Sequence, residues 1–94
     1  MATFIMAMSI NPNAKKTHSD LATQIDQSLE MFNKSGLKSI KMFATLGRYD
    51  LLALFEAPDQ ATAFKVASAI NADGILDTET WPVIPYEEFS ELIG

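Results

Sequence analysis

Cysteine is absent from the 94 residues of this chain. Its absence excludes disulfide bonds, thiolate catalysis and most zinc sites, and it leaves the redox compartment open while agreeing with the cytosol. Histidine is nearly absent too, since His18 is the single example, and it reads as a solvated loop residue rather than a proton shuttle. The carboxylates show no metal-ligand spacing. We therefore expect no metal and no cofactor.

Positive charge is scarce, with 7 Lys and Arg against 12 Asp and Glu and a net charge of −5. No basic run forms the stripe that neutralises phosphates, so nucleic acid is not expected as a partner. No apolar run approaches the roughly 20 residues of a membrane span, and the first ten residues have no basic segment typical of a signal peptide. We expect a soluble, cytoplasmic protein without a membrane partner.

The residues that are present predict one folded domain over residues 1–94. Hydrophobic residues make up 48% and charged residues 20%, which is typical of globular proteins. The predicted order is strand, helix, strand, strand, helix, strand and a short terminal helix. The first predicted strand is Thr3–Ile10, and the last is Asp77–Ile84. Pro82 indicates that the last strand is an edge strand or that it ends there, and the terminal helix begins at Pro85.

Apolar spacing places the two longer helices. The first runs from about Ser19 to Ser35, with Thr17 or Ser19 as its cap and Gly36 as its end. The second follows Asp59, which is placed to accept from free backbone N–H groups, and ends in residues 71–74. The residues predicted to face the core are Leu21, Ile25, Leu29 and Phe32 in the first helix and Phe64, Ala67 and Ile70 in the second, with Met6, Met8, Met31 and Met42 as further adaptable core residues.

A hairpin is predicted between Lys38 and Asp59. If Gly47 and Arg48 form a two-residue turn of type II′, Gly47 takes a positive φ. Counting outward then gives an apolar face that receives the helices, with the pairs Leu46–Tyr49, Ala44–Leu51, Met42–Ala53 and Ile40–Phe55. The other face is mixed, with the pairs Thr45–Asp50, Phe43–Leu52, Lys41–Leu54 and Ser39–Glu56.

The mixed face predicts a homodimer or a higher assembly of dimers. In a four-stranded antiparallel sheet with helices on one side, Phe43, Leu52 and Leu54 would join Ile5 and Ala7 in an uncovered apolar patch. A second copy related by a twofold axis is the simplest cover, because identical faces are self-complementary. Polar side chains on such a face would then point into a space between two sheets.

The central motif resembles a known family. Thr45-Leu46-Gly47, Tyr49-Asp50 and Phe55-Glu56-Ala57-Pro58-Asp59 are similar to the signature of the GYD domain family, and Asp77–Trp81 resembles its last strand. The resemblance implies the dimeric α+β barrel architecture, which is a ferredoxin-like βαββαβ fold with strand order 4-1-3-2. It implies little about activity, since that group includes monooxygenases, isomerases and haem-dependent enzymes.

Several side chains are candidates for a site, and each has a structural alternative. Glu79, beside Trp81 on the same face, is the candidate catalytic base if burial raises its pKa, while a salt bridge to Lys41 or a solvated position explains it equally well. Asp50 is either a pocket acid or, as we favour, a turn residue, and Tyr49 is expected to pack on the helix side. The predicted ligand-binding residues are Lys41, Phe43, Thr45, Asp50, Leu52, Leu54 and Trp81.

Three functions fit these residues. The favoured one is a module that binds a small, partly apolar ligand between the sheets, with Thr45, Lys41 and Glu79 fixing its orientation. The second is a cofactor-free enzyme of the monooxygenase or isomerase kind with Glu79 as its base. The third is an assembly domain without a ligand. The sequence does not name a substrate or decide whether the protein is an enzyme.

Overall fold

The computed structural model of the protein describes residues 1–17 and 20–94. Its elements are β1 (Ala2–Ile10), α1 (Pro12–Thr17), α2 (Leu21–Lys34), β2 (Lys38–Ala44), β3 (Leu51–Ala57), α3 (Gln60–Ala72), β4 (Leu76–Val83) and α4 (Tyr86–Ile93). The predicted βαββαβ order with a terminal helix is confirmed. The short helix α1 was not predicted, although Pro12 suits a first helical position and the Asn11 side chain accepts from the Asn13 N–H at 2.8 Å.

The four strands form one antiparallel sheet in the order β2-β3-β1-β4, as predicted. The outer strands are β2 and β4, which explains how Pro82 is accommodated within β4. The helices α2 and α3 pack on one side, where Phe55 lies between Phe4 and Phe32 with ring centroids 5.7 and 5.5 Å apart. This side is the core, since Met6, Met8 and Phe55 are fully buried there.

On the opposite side of the sheet, called here the open face, no helix of the described residues packs. Register and the alternation of side chains place these residues on it: Lys38, Lys41 and Phe43 of β2, Leu52, Leu54 and Glu56 of β3, Thr3, Ile5, Ala7 and Ser9 of β1, and Asp77, Glu79, Trp81 and Val83 of β4. The predicted mixed face of the hairpin is therefore part of a larger mixed surface that crosses all four strands.

Both longer helices begin at an aspartate. Asp20 caps α2 by accepting from the Thr23 N–H, so the helix starts later than predicted, and the predictions for His18 and Ser19 lie outside the described residues. Asp59 caps α3 as predicted, and its two bonds from Thr62 lower the pKa of its carboxyl. Gly36, with φ of 71°, follows the end of α2.

The inner face of α2 is as predicted, and that of α3 is partly wrong. Phe32 is buried, and Leu21, Ile25 and Leu29 pack against the core. In α3 the buried residues are Ala63, Val66 and Ile70, whereas Phe64 is 67% exposed. Phe64 lies one residue, or about 100°, away from Ala63 around the helix, so both cannot face the core. Met42, on the outer strand β2, is also more exposed than predicted.

The hairpin departs from its prediction at both ends. Lys41, Met42, Phe43 and Ala44 pair with Leu54, Ala53, Leu52 and Leu51 as predicted, but Lys38 rather than Ser39 faces Glu56. The register shifts between Lys38 and Lys41, where Ser39 takes a φ of 54°. This bulge removes the predicted Ile40–Phe55 pair. Gly47 does not have a positive φ, so the type II′ turn is wrong, and residues 45–50 form a longer loop between the strands.

Candidate functional site

The loop of residues 45–50 is fixed by hydrogen bonds to itself and to β1. The Thr45 N–H donates to the Asp50 carbonyl at 2.9 Å, and the Thr45 hydroxyl donates to the Tyr49 carbonyl while accepting from the Gly47 N–H. The Asp50 carboxylate accepts from the Ile10 N–H at 2.8 Å. These bonds hold the backbone of Tyr49 at the end of the sheet and set the direction of its side chain.

Tyr49 reaches across to β4 on the open face. Its hydroxyl donates to Glu79 Oε2 at 2.5 Å, and Trp81 Nε1 donates to Glu79 Oε1 at 2.9 Å. The two aromatic rings meet edge to face, with centroids 6.0 Å apart. We call Tyr49, Glu79 and Trp81 the aromatic–carboxylate cluster. The prediction that Tyr49 packs on the helix side is wrong, because the long loop brings it to the other face.

The two hydrogen bonds determine how Glu79 titrates. Donation by the Tyr49 hydroxyl, and then by the Trp81 indole, lowers the pKa of the Glu79 carboxyl. The same bond to Glu79 raises the pKa of Tyr49. In the single chain the Glu79 carboxylate is exposed and held by two donors. The raised pKa was predicted for a covered face, and it stays a prediction.

Apolar side chains continue the open face beside the cluster. Phe43 is 52% exposed, Ile5, Leu52 and Leu54 are half-buried, and Ala7 is fully buried. Through the register, the residues Phe43, Leu52, Ala7 and Glu79 form one row across the sheet, and Lys41, Leu54, Ile5 and Trp81 form the next. The site is thus an apolar floor with a fixed carboxylate and two aromatic rings at the β4 edge.

A sequence model of the GYD domain matches residues 4–93, which is nearly the whole chain. The chain belongs to the GYD domain family. This membership confirms the resemblance seen in the central motif, and it leaves the function unspecified. None of the curated proteins compared with this GYD domain matches it.

The predicted site residues of this GYD domain fall into two groups. Six of them share the open face, namely Lys41, Phe43, Leu52, Leu54, Glu79 and Trp81. In contrast, the polar groups of the loop are already engaged: Thr45 bonds within the loop and Asp50 bonds to Ile10. Thr45 and Asp50 therefore stabilise the loop that carries Tyr49.

Lys41 and Glu79 do not meet within one GYD domain. They lie on the two outer strands of the sheet, with β3 and β1 between them. Three strand spacings amount to about 14 Å, which is beyond the reach of a salt bridge. The intrachain version of the predicted Lys41–Glu79 pair is therefore wrong.

Tyr49 is the site residue that sequence reasoning misplaced. The predicted position of Tyr49 followed from the assumption of a two-residue turn, because such a turn would have placed Tyr49 opposite Leu46 on the helix side. The signal that could have corrected this is Thr45, since a hydroxyl two residues before Gly47 favours a turn built on side-chain bonds.

Among the described residues no group of three or more His, Asp or Glu side chains could hold a metal ion, and no helix there is long and apolar enough to cross a membrane.

Removal of the Tyr49 hydroxyl tests the electrostatics of the cluster. In Tyr49→Phe we expect the pKa of Glu79 to rise toward its ordinary value of 4.5, because the largest cause of its depression is lost. A carboxyl with a lowered folded-state pKa stabilises the fold above its unfolded value and loses that contribution as pH falls through the folded value. The pH range of this loss should move upward in the variant.

An NMR titration of the Glu79 side-chain carbonyl carbon measures this shift directly. Tyr86→Phe is the matched control, because it removes the same hydroxyl from the other tyrosine of the chain, on α4. We expect no change in that control. An unchanged Glu79 titration in Tyr49→Phe would show that the hydrogen bond does not govern this carboxyl.

Proposed function

We propose that this GYD domain is a homodimeric binding module that holds a small, partly apolar ligand between two facing open faces. The observation that carries the proposal is the aromatic–carboxylate cluster at the edge of an apolar floor. Binding sites for small molecules combine an apolar lining with a few fixed polar groups, and Tyr49 and Trp81 fix Glu79 in this way. The proposed site is complete only when a second copy closes it.

The apolar floor supports a second copy as the cover. Phe43, Leu52, Leu54 and Ile5 lie together on a surface that no helix within residues 1–17 and 20–94 covers, and such patches usually mark interfaces. A twofold dimer buries the same patch on both subunits at once. No additional partner has to be assumed.

Charge on the outer strands supports a particular arrangement of the two copies. On the open face, β2 carries Lys38 and Lys41, whereas β4 carries Asp77 and Glu79. A twofold axis parallel to the strands places β2 of each copy over β4 of the other. This axis preserves height along the strands, so Lys41 of one subunit lies over Trp81 of its partner, one row from Glu79. The long lysine side chain then gives that carboxylate a countercharge when the face is covered. Without one, a buried charge is costly.

Glu79 indicates the chemistry of the ligand. A carboxylate oxygen can accept more than the one bond that each Glu79 oxygen receives here, so the site favours a ligand that presents a hydrogen-bond donor next to an apolar body. An enzyme with Glu79 as general base is less well supported, because each oxygen of its carboxylate already accepts a hydrogen bond, one from Tyr49 and one from Trp81.

Binding can be tested through Trp81, the only tryptophan of the chain and a wall of the site. We expect 2-phenylethylamine and 2-phenylethanol to change its fluorescence at lower concentrations than phenylacetate, because the first two offer donors to Glu79 and the third offers a like charge. In Glu79→Gln the preference for the amine should fall by on the order of tenfold, in the range of a charge-assisted hydrogen bond.

Glu79→Gln keeps the shape of the side chain, so it should leave the circular dichroism spectrum in place, and binding is compared at a protein concentration at which both proteins sediment as dimers. Gln27→Glu on α2 is the control for a charge change away from the open face. If none of the three compounds changes Trp81 fluorescence at millimolar concentration, the ligand-binding proposal fails and the assembly function without a ligand is supported instead.

A further inference from the structure

The terminal helix α4 stands away from the rest of the molecule. None of its residues is buried. The longest extent of the molecule is 52 Å, whereas the nine residues of β1 span only about 30 Å. The radius of gyration is 14.4 Å, compared with about 12 Å for a compact chain of this length. The helix thus extends the fold without contributing to its core.

α4 is also amphipathic, with one apolar side that has no partner in the chain. Tyr86, Phe89, Leu92 and Ile93 lie along this side and are between 45% and 73% exposed. The spacing of three and four residues is that of helices that bind in grooves. The charged residues of α4 are all acidic, namely Glu87, Glu88 and Glu91.

A cleft of matching character lies between α3 and β4 on the helix side of the sheet. Its volume is about 310 Å³, and its lining combines the apolar residues Phe4, Ala63, Phe64, Ala67 and Pro82 with an equal number of polar residues from α3 and β4. Phe64, which was predicted to face the core, lines the cleft instead, and 67% of its surface is exposed. Among the lining residues, Thr80 has a buried hydroxyl without a hydrogen-bond partner among the described residues.

The lining of the cleft contains no charged residue, so it presents no like charge to the acidic helix α4. Within α3 the only charged residue is Lys65, which is exposed and lies outside the lining. The apolar side of α4 thus has, on this fold, an uncharged and partly apolar cleft to receive it. Both features occur once in every copy, so two copies can satisfy each other reciprocally.

The connection to β4 argues against docking of α4 in the cleft of its own chain. Only Ile84 and Pro85 join the two elements, and Pro85 has an extended conformation with ψ of 146°. Proline also restricts Ile84 to extended conformations. This short, stiff connection directs the helix outward, whereas return to the cleft would require a tight reversal at the same residues.

We infer that α4 of each chain docks in the α3–β4 cleft of a second copy, in a reciprocal exchange. The interface is distinct from the open face and does not depend on it. Two helices of eight residues make a contact at the small end of protein interfaces. The exchange therefore joins open-face dimers weakly, at concentrations above those that form the dimer.

Cysteine cross-linking tests the exchange, because the natural chain contains no cysteine. Ser68→Cys lines the cleft, and Ser90→Cys lies on α4 beside its apolar side. When the two single variants are mixed, one of them labelled with ¹⁵N, a mild oxidant should produce a disulfide between the labelled and the unlabelled chain. It should form on the order of 10²-fold faster than with Gln27→Cys in place of Ser68→Cys, because docking raises the local concentration.

Three outcomes would overturn the inference, and mass spectrometry separates them. Equal rates for Ser68→Cys and Gln27→Cys would mean that α4 does not occupy the cleft. Disulfides formed mainly between two copies of Ser90→Cys would mean that α4 pairs with α4. In the double variant, ring closure within one chain that persists on dilution would mean that the helix binds its own cleft. The mixed cross-link should persist with Leu52→Asp present in both chains, since the open face is not involved.

Discussion

Replacement of Leu52 by Asp should convert the protein into monomers of 10.3 kDa at low micromolar concentration. Leu52 lies in the middle of the open face, in the row that joins Phe43, Ala7 and Glu79. In the proposed dimer, the new carboxylate would be buried in both subunits without a countercharge. An uncompensated buried charge costs about 3–5 kcal/mol, which weakens association by on the order of 10²–10⁴-fold.

Sedimentation velocity measures this result, with the natural chain expected near twice the monomer mass. Asn33→Asp on the exposed side of α2 introduces the same charge off the open face and should remain dimeric. Circular dichroism distinguishes dissociation from unfolding, because Leu52 is only half-buried within one chain and the core lies on the other side of the sheet. A natural chain that sediments as a monomer would refute the dimer itself.

The fold was predictable because its signals are local and repeated. The short apolar runs of β1 and β3 and the helical spacing of α2 identify these elements without knowledge of tertiary contacts. The signature around Tyr49 and Asp50 then selects one arrangement of these elements. The pairing of Lys41 through Ala44 was also correct, since a slip by one residue would have moved every apolar side chain to the wrong face.

The errors lie where several local solutions have similar energy. Gly47 suits a two-residue turn, but the Thr45 side chain bonds within the loop and makes a longer connection possible. That difference moved Tyr49 from the helix side to the open face and so changed the interpretation of Glu79. Ser39 was paired by simple counting, which cannot detect a bulge. The lowered pKa of Glu79 in the single chain depends first on Tyr49, which is 30 residues away in sequence.

The charge distribution across the open face leads to the second large effect. In the proposed dimer, Lys41 of each subunit approaches Glu79 of its partner, so one substitution creates two like-charge contacts. Glu79→Lys should repel Lys41, and Lys41→Glu should repel Glu79. Like charges that meet in an interface cost several kcal/mol, so each variant alone should lose its dimer.

Mixing these two variants should restore dimerisation. A Glu79→Lys chain presents lysine at both positions and a Lys41→Glu chain presents glutamate at both, so every contact in the mixed dimer joins opposite charges. Native mass spectrometry should show the heterodimer and little of either homodimer. A mixture of Asp77→Lys and Lys41→Glu is the control for the position of the new lysine. Asp77 lies on the same outer strand as Glu79, but its carboxylate accepts a hydrogen bond from Asn11. If the single variants stay dimeric, or if the mixture remains monomeric, the twofold axis does not run parallel to the strands, and β2 does not cover β4.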